Sequence, residues 1–226
     1  MNPLLPADLI AHSRTLPLKP DAVTLTGRHV LLRALDPQLD AGPLYAVSNG
    51  QSVEMGDRTI QAYDADTQIW RYLFEGPFAT QEEFNAYLAA RHAATDARAF
   101  TVIDLATGHP VGVVNLMSNV PAHLRIELGG IWYSPVVQRT PANLETTYLL
   151  LRHLFELGYR RAEWKCHAHN ERSRRSALRM GFRYEGTQEQ HMIVKGRNRD
   201  TAWFRLLAHE WPAVQQRLEL MLYGGC

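Results

Sequence analysis

The chain has little of what would settle its chemistry at a glance. Two cysteines in 226 residues, Cys166 and Cys226, are too few for a disulfide framework or a cysteine-rich metal site. Net charge is nearly absent: 24 Lys and Arg against 23 Asp and Glu leave +1, so bulk electrostatics favour neither nucleic acid nor a membrane surface. No apolar run approaches the ~18 residues that a membrane span needs. Pro3, Pro6, Pro17 and Pro20 break the amino terminus into short pieces, and no basic start leads into a continuous apolar core, so no signal peptide is expected. Histidines are present, but His167 and His169 stand two apart without an acidic partner at helical spacing, and no metal site is expected. What remains, 46% apolar and 21% charged residues, is the composition of a globular chain, expected to be soluble and cytoplasmic.

Periodicity divides the chain. Residues 1–20 read as a proline-rich arm without long regular structure, and 21–226 as a single domain. Val23 to Leu35 reads as a strand or bent hairpin, and Pro37 to Val47 as a short helix capped by Asp36. Asp64 to Phe74 is a second helical segment, ended by Gly76-Pro77. Thr80 to Ala94 is a third, with Thr80 as cap and Glu83 completing a capping box. Two strands, Ala99 to Leu105 and Val111 to Met117, form a hairpin, and His123 to Tyr133 is the next strand, where Gly129-Gly130 suggests a bulge. Asn143 to Leu157 is the best amphipathic helix, closed by Gly158. Arg161 to Ala168 alternates, with Ala162, Trp164 and Cys166 on one side and Arg161, Glu163, Lys165 and His167 on the other. Asn170 to Met180 is a short helix stopped by Gly181, and two strands, near Tyr184 to Val194 and Thr201 to Leu207, follow. This order indicates one mixed α+β sheet domain.

The stretch from Ile126 to Asn143 carries the chemistry. Glu127 sits on a strand that leads through a turn into the start of the amphipathic helix, whose free N–H groups and positive dipole end suit a phosphate. A carboxylate there can accept a proton, or it can be a surface acid paired with Arg125. Asn170 and Ser173 have the types and spacing of a helix cap. Arg172, Arg174, Arg175 and Arg179 are the densest basic run; a solvated helix face is the reading for most of them, and phosphate or RNA contact the alternative. Glu54, Asp57, Asp64 and Asp66 form an acidic stretch that could attract a cationic molecule, or simply be exposed.

Glu127, the turn beginning at Gln138, Asn170-Glu171-Arg172-Ser173 and Gly181-Phe182-Arg183-Tyr184-Glu185-Gly186 resemble the GNAT superfamily of N-acetyltransferases, in the branch of ribosomal-protein N-terminal acetyltransferases of the RimJ/RimL kind. The resemblance covers roughly Val23 to Trp211. It implies a mixed, mostly antiparallel central sheet, splayed at its middle and flanked by helices on both faces. It implies acetyl transfer from acetyl-CoA to a primary amine, directly and without a metal. Gln138 to Asn143 stands where the family places its pyrophosphate loop, but Pro141 and Asn143 replace small residues, and proline removes one donor. Gln138, Arg139, Thr140, Ala142 and Asn143 are therefore expected at the pyrophosphate, Asn170 and Ser173 near the pantetheine arm, and the Ile131 or Trp132 N–H at the thioester carbonyl. Glu127 is the expected general base, with His191 as a weaker alternative. Ser173 is the expected proton donor to the thiolate, because Ala177 stands where many relatives have tyrosine. The acceptor would be a small-molecule amine or a protein N-terminus, with no membrane, nucleic acid unlikely and a homodimer possible. A noncatalytic acyl-CoA-binding or regulatory module of the same fold is the alternative reading.

Overall fold

A computed structural model describes residues 4–56 and 58–224; Asp57 and Cys226 lie outside them. Ten strands are β1 (Leu25–Thr26), β2 (Val30–Ala34), β3 (Val53–Met55), β4 (Arg58–Ile60), β5 (Arg98–Asp104), β6 (His109–Val120), β7 (Arg125–Tyr133), β8 (Arg161–His167), β9 (Arg183–Val194) and β10 (Arg197–Leu207). Six helices are α1 (Ala7–His12), α2 (Pro37–Ala46), α3 (Gln81–Ala93), α4 (Ala142–Glu156), α5 (Glu171–Arg179) and α6 (Trp211–Tyr223). Eight strands form one sheet in the order β1-β2-β5-β6-β7-β8-β10-β9, and β3 and β4 pair separately. Every neighbouring pair in the large sheet is antiparallel except β7 with β8.

That parallel pair positions the site. Its register runs only from Arg125↔Arg161 to Leu128↔Trp164, although both strands continue. Beyond it the strands part, and the edge of β7 from Gly129 to Tyr133 has no partner strand on the β8 side. The sheet is splayed where the resemblance implied.

Helices cover both faces unequally. Ile126, Leu128, Ala162, Trp164, Ala202 and Phe204 meet α4 and α6 in one apolar cluster, each burial contributing about 1.5–3 kcal/mol for a large side chain. On the opposite face α2 and α3 cover the β5–β6 half with Leu44, Phe84 and Leu88, joined by an aromatic group around Trp70 and Trp132. The alternation of β8 turns Glu163 and Lys165 to this second face, beyond the reach of α2 and α3.

Local rules explain most boundaries. Asp36 caps α2 by accepting from Gln38 N, with Pro37 in its first turn. Thr80 accepts from Glu83 N; the Glu83 carboxylate takes the Ala79 N–H, one residue before the expected capping-box partner. One expectation needs correction, and two features were not foreseen. Asp64 to Phe74 is no regular α-helix: Asp64 caps its start by accepting from Thr67, but the Arg71 N–H reaches back five residues to the Asp66 carbonyl, and a π-helical turn over Asp66–Trp70 is followed by turns. The arm contains α1 and is fastened to the domain, as His12 Nε2 donates to the Leu157 carbonyl and Asn119 Nδ2 to those of Pro17 and Leu18. Finally, α6 is a full helix that the periodicity reading left out.

Candidate active site

Gly129 and Gly130 build the bulge in β7. Asn115 pairs with Gly129 and Val113 with Trp132, so one extra residue stands on β7 between these pairs. Gly130 has φ +56°, and a Cβ there would come within 2.6 Å of Asn115 Nδ2. Asn115, itself buried, holds the bulge by donating to the Gly129 and Gly130 carbonyls at 3.3 and 3.1 Å. Sequence reading found the bulge and missed Asn115, which had no signal beyond being a polar residue in an apolar strand.

The parting strands open into a cleft of ≈ 1380 Å³. Glu127 lines it, 6% exposed, with its carboxylate 2.8 Å from Lys165 Nζ. Arg125, the partner considered from sequence, bonds Glu163 instead. Burial raises the Glu127 pKa above the ordinary carboxylate range, while Lys165 and the Ser118 hydroxyl pull it back. Lys165 also lies over the Trp203 ring at 4.1 Å.

Ile131, Trp132, Gln138, Arg139, Thr140, Asn143, Asn170 and Ser173 all reach the cleft wall. Ala142 does not: its side chain is buried in the core and its N–H donates to Thr140 Oγ1 at 3.2 Å. The Thr140 N–H is likewise taken, by the Val137 carbonyl. The turn therefore keeps a different donor set from the expected one. Helix α4 starts at Ala142 after Pro141, its first i→i−4 bond being Glu145 N to the Pro141 carbonyl, so Asn143 and Leu144 are the first-turn N–H groups with no helical acceptor. Asn143 Oδ1 is buried without a partner among the described residues, and Arg139 takes φ +65°. Such a turn suits a phosphate at a helix start. Proline at this point costs no donor that the helix would have used.

Across the cleft, Asn170 caps α5 by accepting from Ser173 N at 3.1 Å. Ser173 Oγ accepts from Trp164 Nε1 at 2.9 Å, which leaves its hydrogen available to donate. Arg172, Arg175 and Arg179 are exposed, as a solvated face would be, and that face borders the cleft; Arg174 turns away, donating to the Ala168 carbonyl. His191 lines the cleft with Nδ1 2.9 Å from Thr201 Oγ1. The segment from Thr67 to Phe74 straps the cleft. Arg172 donates to the Thr67 carbonyl, Gln138 to that of Gln68, Lys195 to that of Trp70 and Arg199 to that of Tyr72. Glu54, Asp64 and Asp66 do not line this cleft: Asp64 is used by Thr67, and Asp66 pairs with Arg71 at 3.1 Å. Among the described residues no three His, Cys, Asp or Glu side chains gather as a metal-ligating group, and no helix is long and apolar enough to cross a membrane.

Residues 29–183 match the family model described as an acetyltransferase (GNAT) domain. The chain belongs to the GNAT family. Its fold is shared with a GCN5-related N-acetyltransferase from Brucella melitensis, 43% identical over 90% of this chain and 87% of that one, TM-score 0.81. A GNAT acetyltransferase from Chromobacterium violaceum is 32% identical over 94% and 96% of the two chains, TM-score 0.79. The RimJ/RimL branch is distant. An acetyl transferase from Salmonella typhimurium that modifies the N-terminal serine of a 50S ribosomal subunit protein is 18% identical over 82% of this chain and 99% of that one, TM-score 0.67, a likeness of fold alone. No curated protein matches the sequence. The GNAT assignment makes this chain an acetyl-CoA-dependent acyltransferase.

Proposed function

We propose that the enzyme acetylates a primary amine by direct transfer, with Glu127 as the general base. The supporting observation is the position of Glu127: a desolvated carboxylate in the opening between β7 and β8, facing the same cleft as the helix start of α4. Acetyl-CoA supplies an acyl group activated as a thioester. The first-turn N–H groups of Asn143 and Leu144, the Arg139 turn and the arginines of α5 would hold its phosphates. The unpaired edge of β7 presents the Ile131 or Trp132 N–H to the thioester carbonyl, where it would stabilise charge developing on oxygen.

An acceptor amine is protonated near neutral pH and must lose a proton before it attacks. Glu127 accepts that proton, and its raised pKa brings it nearer the working pH. The C–N bond forms as the C–S bond breaks, and the Ser173 hydroxyl, already an acceptor from Trp164, donates toward the departing thiolate. Thiol release with acetyl-CoA and an amine panel tests this. Glu127→Gln should lower turnover while leaving acetyl-CoA stabilisation in a thermal-shift titration unchanged; an unaltered rate at every pH removes Glu127 as base. The distant RimJ/RimL relatives share the fold with this chain, and their protein acceptor is not carried over to it.

A further inference from the structure

The acceptor end of the cleft is basic, which narrows the amine and rests on the acetyl-transfer reading above. Among the described residues Glu127 is the only carboxylate lining the cleft, and Lys165 already neutralises it. Arg199 on β10 is 6% exposed; its Nη1 donates to the Tyr72 carbonyl at 3.2 Å, and its guanidinium lies 4.3 Å from the Phe74 ring centre. Its Nε has no hydrogen-bond partner among the described residues, and neither has the buried Trp203 Nε1, on the same face of β10 and over which Lys165 lies. Both side chains line the cleft. Buried donors without acceptors are costly, and these two line the same cleft wall as Lys165. Past Arg199 the surface stays basic, with Lys195 and Arg197 lining an adjoining groove whose acid, Asp66, is paired with Arg71. A polyamine or aminoglycoside would meet this wall as repulsion. The strap from Thr67 to Phe74 is tied to Gln138 and Arg172 as well as to Lys195 and Arg199.

We propose that the acceptor is a small amine bearing its own anionic group, a carboxylate or a phosphate, bound by Arg199, Lys165 and the Trp203 N–H while its nitrogen faces Glu127. By competing for Lys165, that anion would also release Glu127 to take the amine proton.

The test is thiol release with α-amino acids, their primary amides, phosphoethanolamine, spermidine and a tripeptide, alongside thermal-shift titration with acetyl-CoA alone. Anionic amines should exceed the amides by roughly 100-fold in kcat/KM, since a site built around buried polar groups rejects a ligand that leaves them unpaired. Whether amino acids or phosphoethanolamine win identifies the anion. Arg199→Gln should abolish the preference of acid over amide in a protein that still shows the acetyl-CoA thermal shift, with Arg199→Lys restoring part of it. Trp203→Phe keeps the ring, and should cost about tenfold for anionic acceptors only. Better rates with amides, spermidine or the tripeptide, or a preference unchanged in Arg199→Gln, overturn the proposal and leave acetyl transfer standing. If acetyl-CoA stabilises the protein but no amine releases thiol, calorimetric titration of the same amines into the CoA-saturated protein decides: equal binding of acid and amide overturns it, tighter binding of the acid supports it. Absence of acetyl-CoA binding removes both readings together.

Discussion

Glu127 and Glu145 are both buried, and their surroundings make them opposites. Glu145 on α4 is fully buried and accepts from Arg28 N, His29 N and Val30 N at 2.7 to 2.9 Å, and from the Tyr223 hydroxyl at 2.8 Å. A Cβ on Gly27 would come within 2.3 Å of its carboxyl carbon, so the β1–β2 turn closes directly on the charge. The carboxylate knits that turn, α4 and α6 together, and nothing is left for a ligand. Glu127 faces a cleft, with one cation and burial acting against its charge. A buried acid with its lone pairs filled by backbone N–H groups is structural; one left desolvated beside an opening is available for chemistry.

Removing each carboxylate should separate the roles most sharply. Glu127→Gln should lower kcat/KM by about 10²–10⁴, the range of general-base contributions. Its thermal midpoint at neutral pH should not fall. A carboxyl whose folded pKa is raised stabilises the fold below its unfolded pKa and loses that contribution as pH rises through the folded value. The ionised Glu127 thus works against folding at neutral pH, and the amide oxygen of Gln can still accept from Lys165. A large drop in midpoint would break the comparison. Glu145→Ala should do the reverse, lowering unfolding free energy by about 3–5 kcal/mol as three N–H groups lose their acceptor, with the folded fraction keeping its specific activity. Denaturant titration beside an active-site count checks both parts.

Lys165→Met sharpens the comparison through pH. Glu127 works as a base only when ionised, so kcat/KM should fall as pH drops through its pKa. Lys165 lowers that pKa, and its removal should move the acid limb of the profile to higher pH. An unmoved limb removes Glu127 as the titrating group. The smallest effect is Tyr223→Phe, which takes one of four donors from Glu145 and should cost about 1 kcal/mol of stability with no change in the pH profile.

Particular residues show how far the sequence could be read. The alternation from Arg161 to Ala168 placed Lys165 and Glu163 on one face and Trp164 and Cys166 on the other, as found. Gly129-Gly130 announced the bulge, and Asn170 its cap. Such signals are local, because a period of two or a left-handed φ is imposed by a few adjacent bonds. The turn from Gln138 to Asn143 was read by its place, yet its donors were redistributed when Thr140 folded onto Val137 and Ala142. Arg172, Arg175 and Arg179 are the exposed face that was expected, but helical periodicity could not say that this face borders a cleft.

By itself the sequence determined most of the strands and helices of the large sheet and the carboxylate on the strand that feeds a helix start, since these follow from patterns among near neighbours; the splay came with the family resemblance. Only the tertiary structure decided that Lys165 and not Arg125 meets Glu127, that Asn115 holds the bulge, and that Arg199 and Trp203 bring unpartnered donors to the same cleft. Those contacts join strands far apart in the chain, and lateral register in a sheet is fixed by the packing of whole faces, which no local pattern encodes.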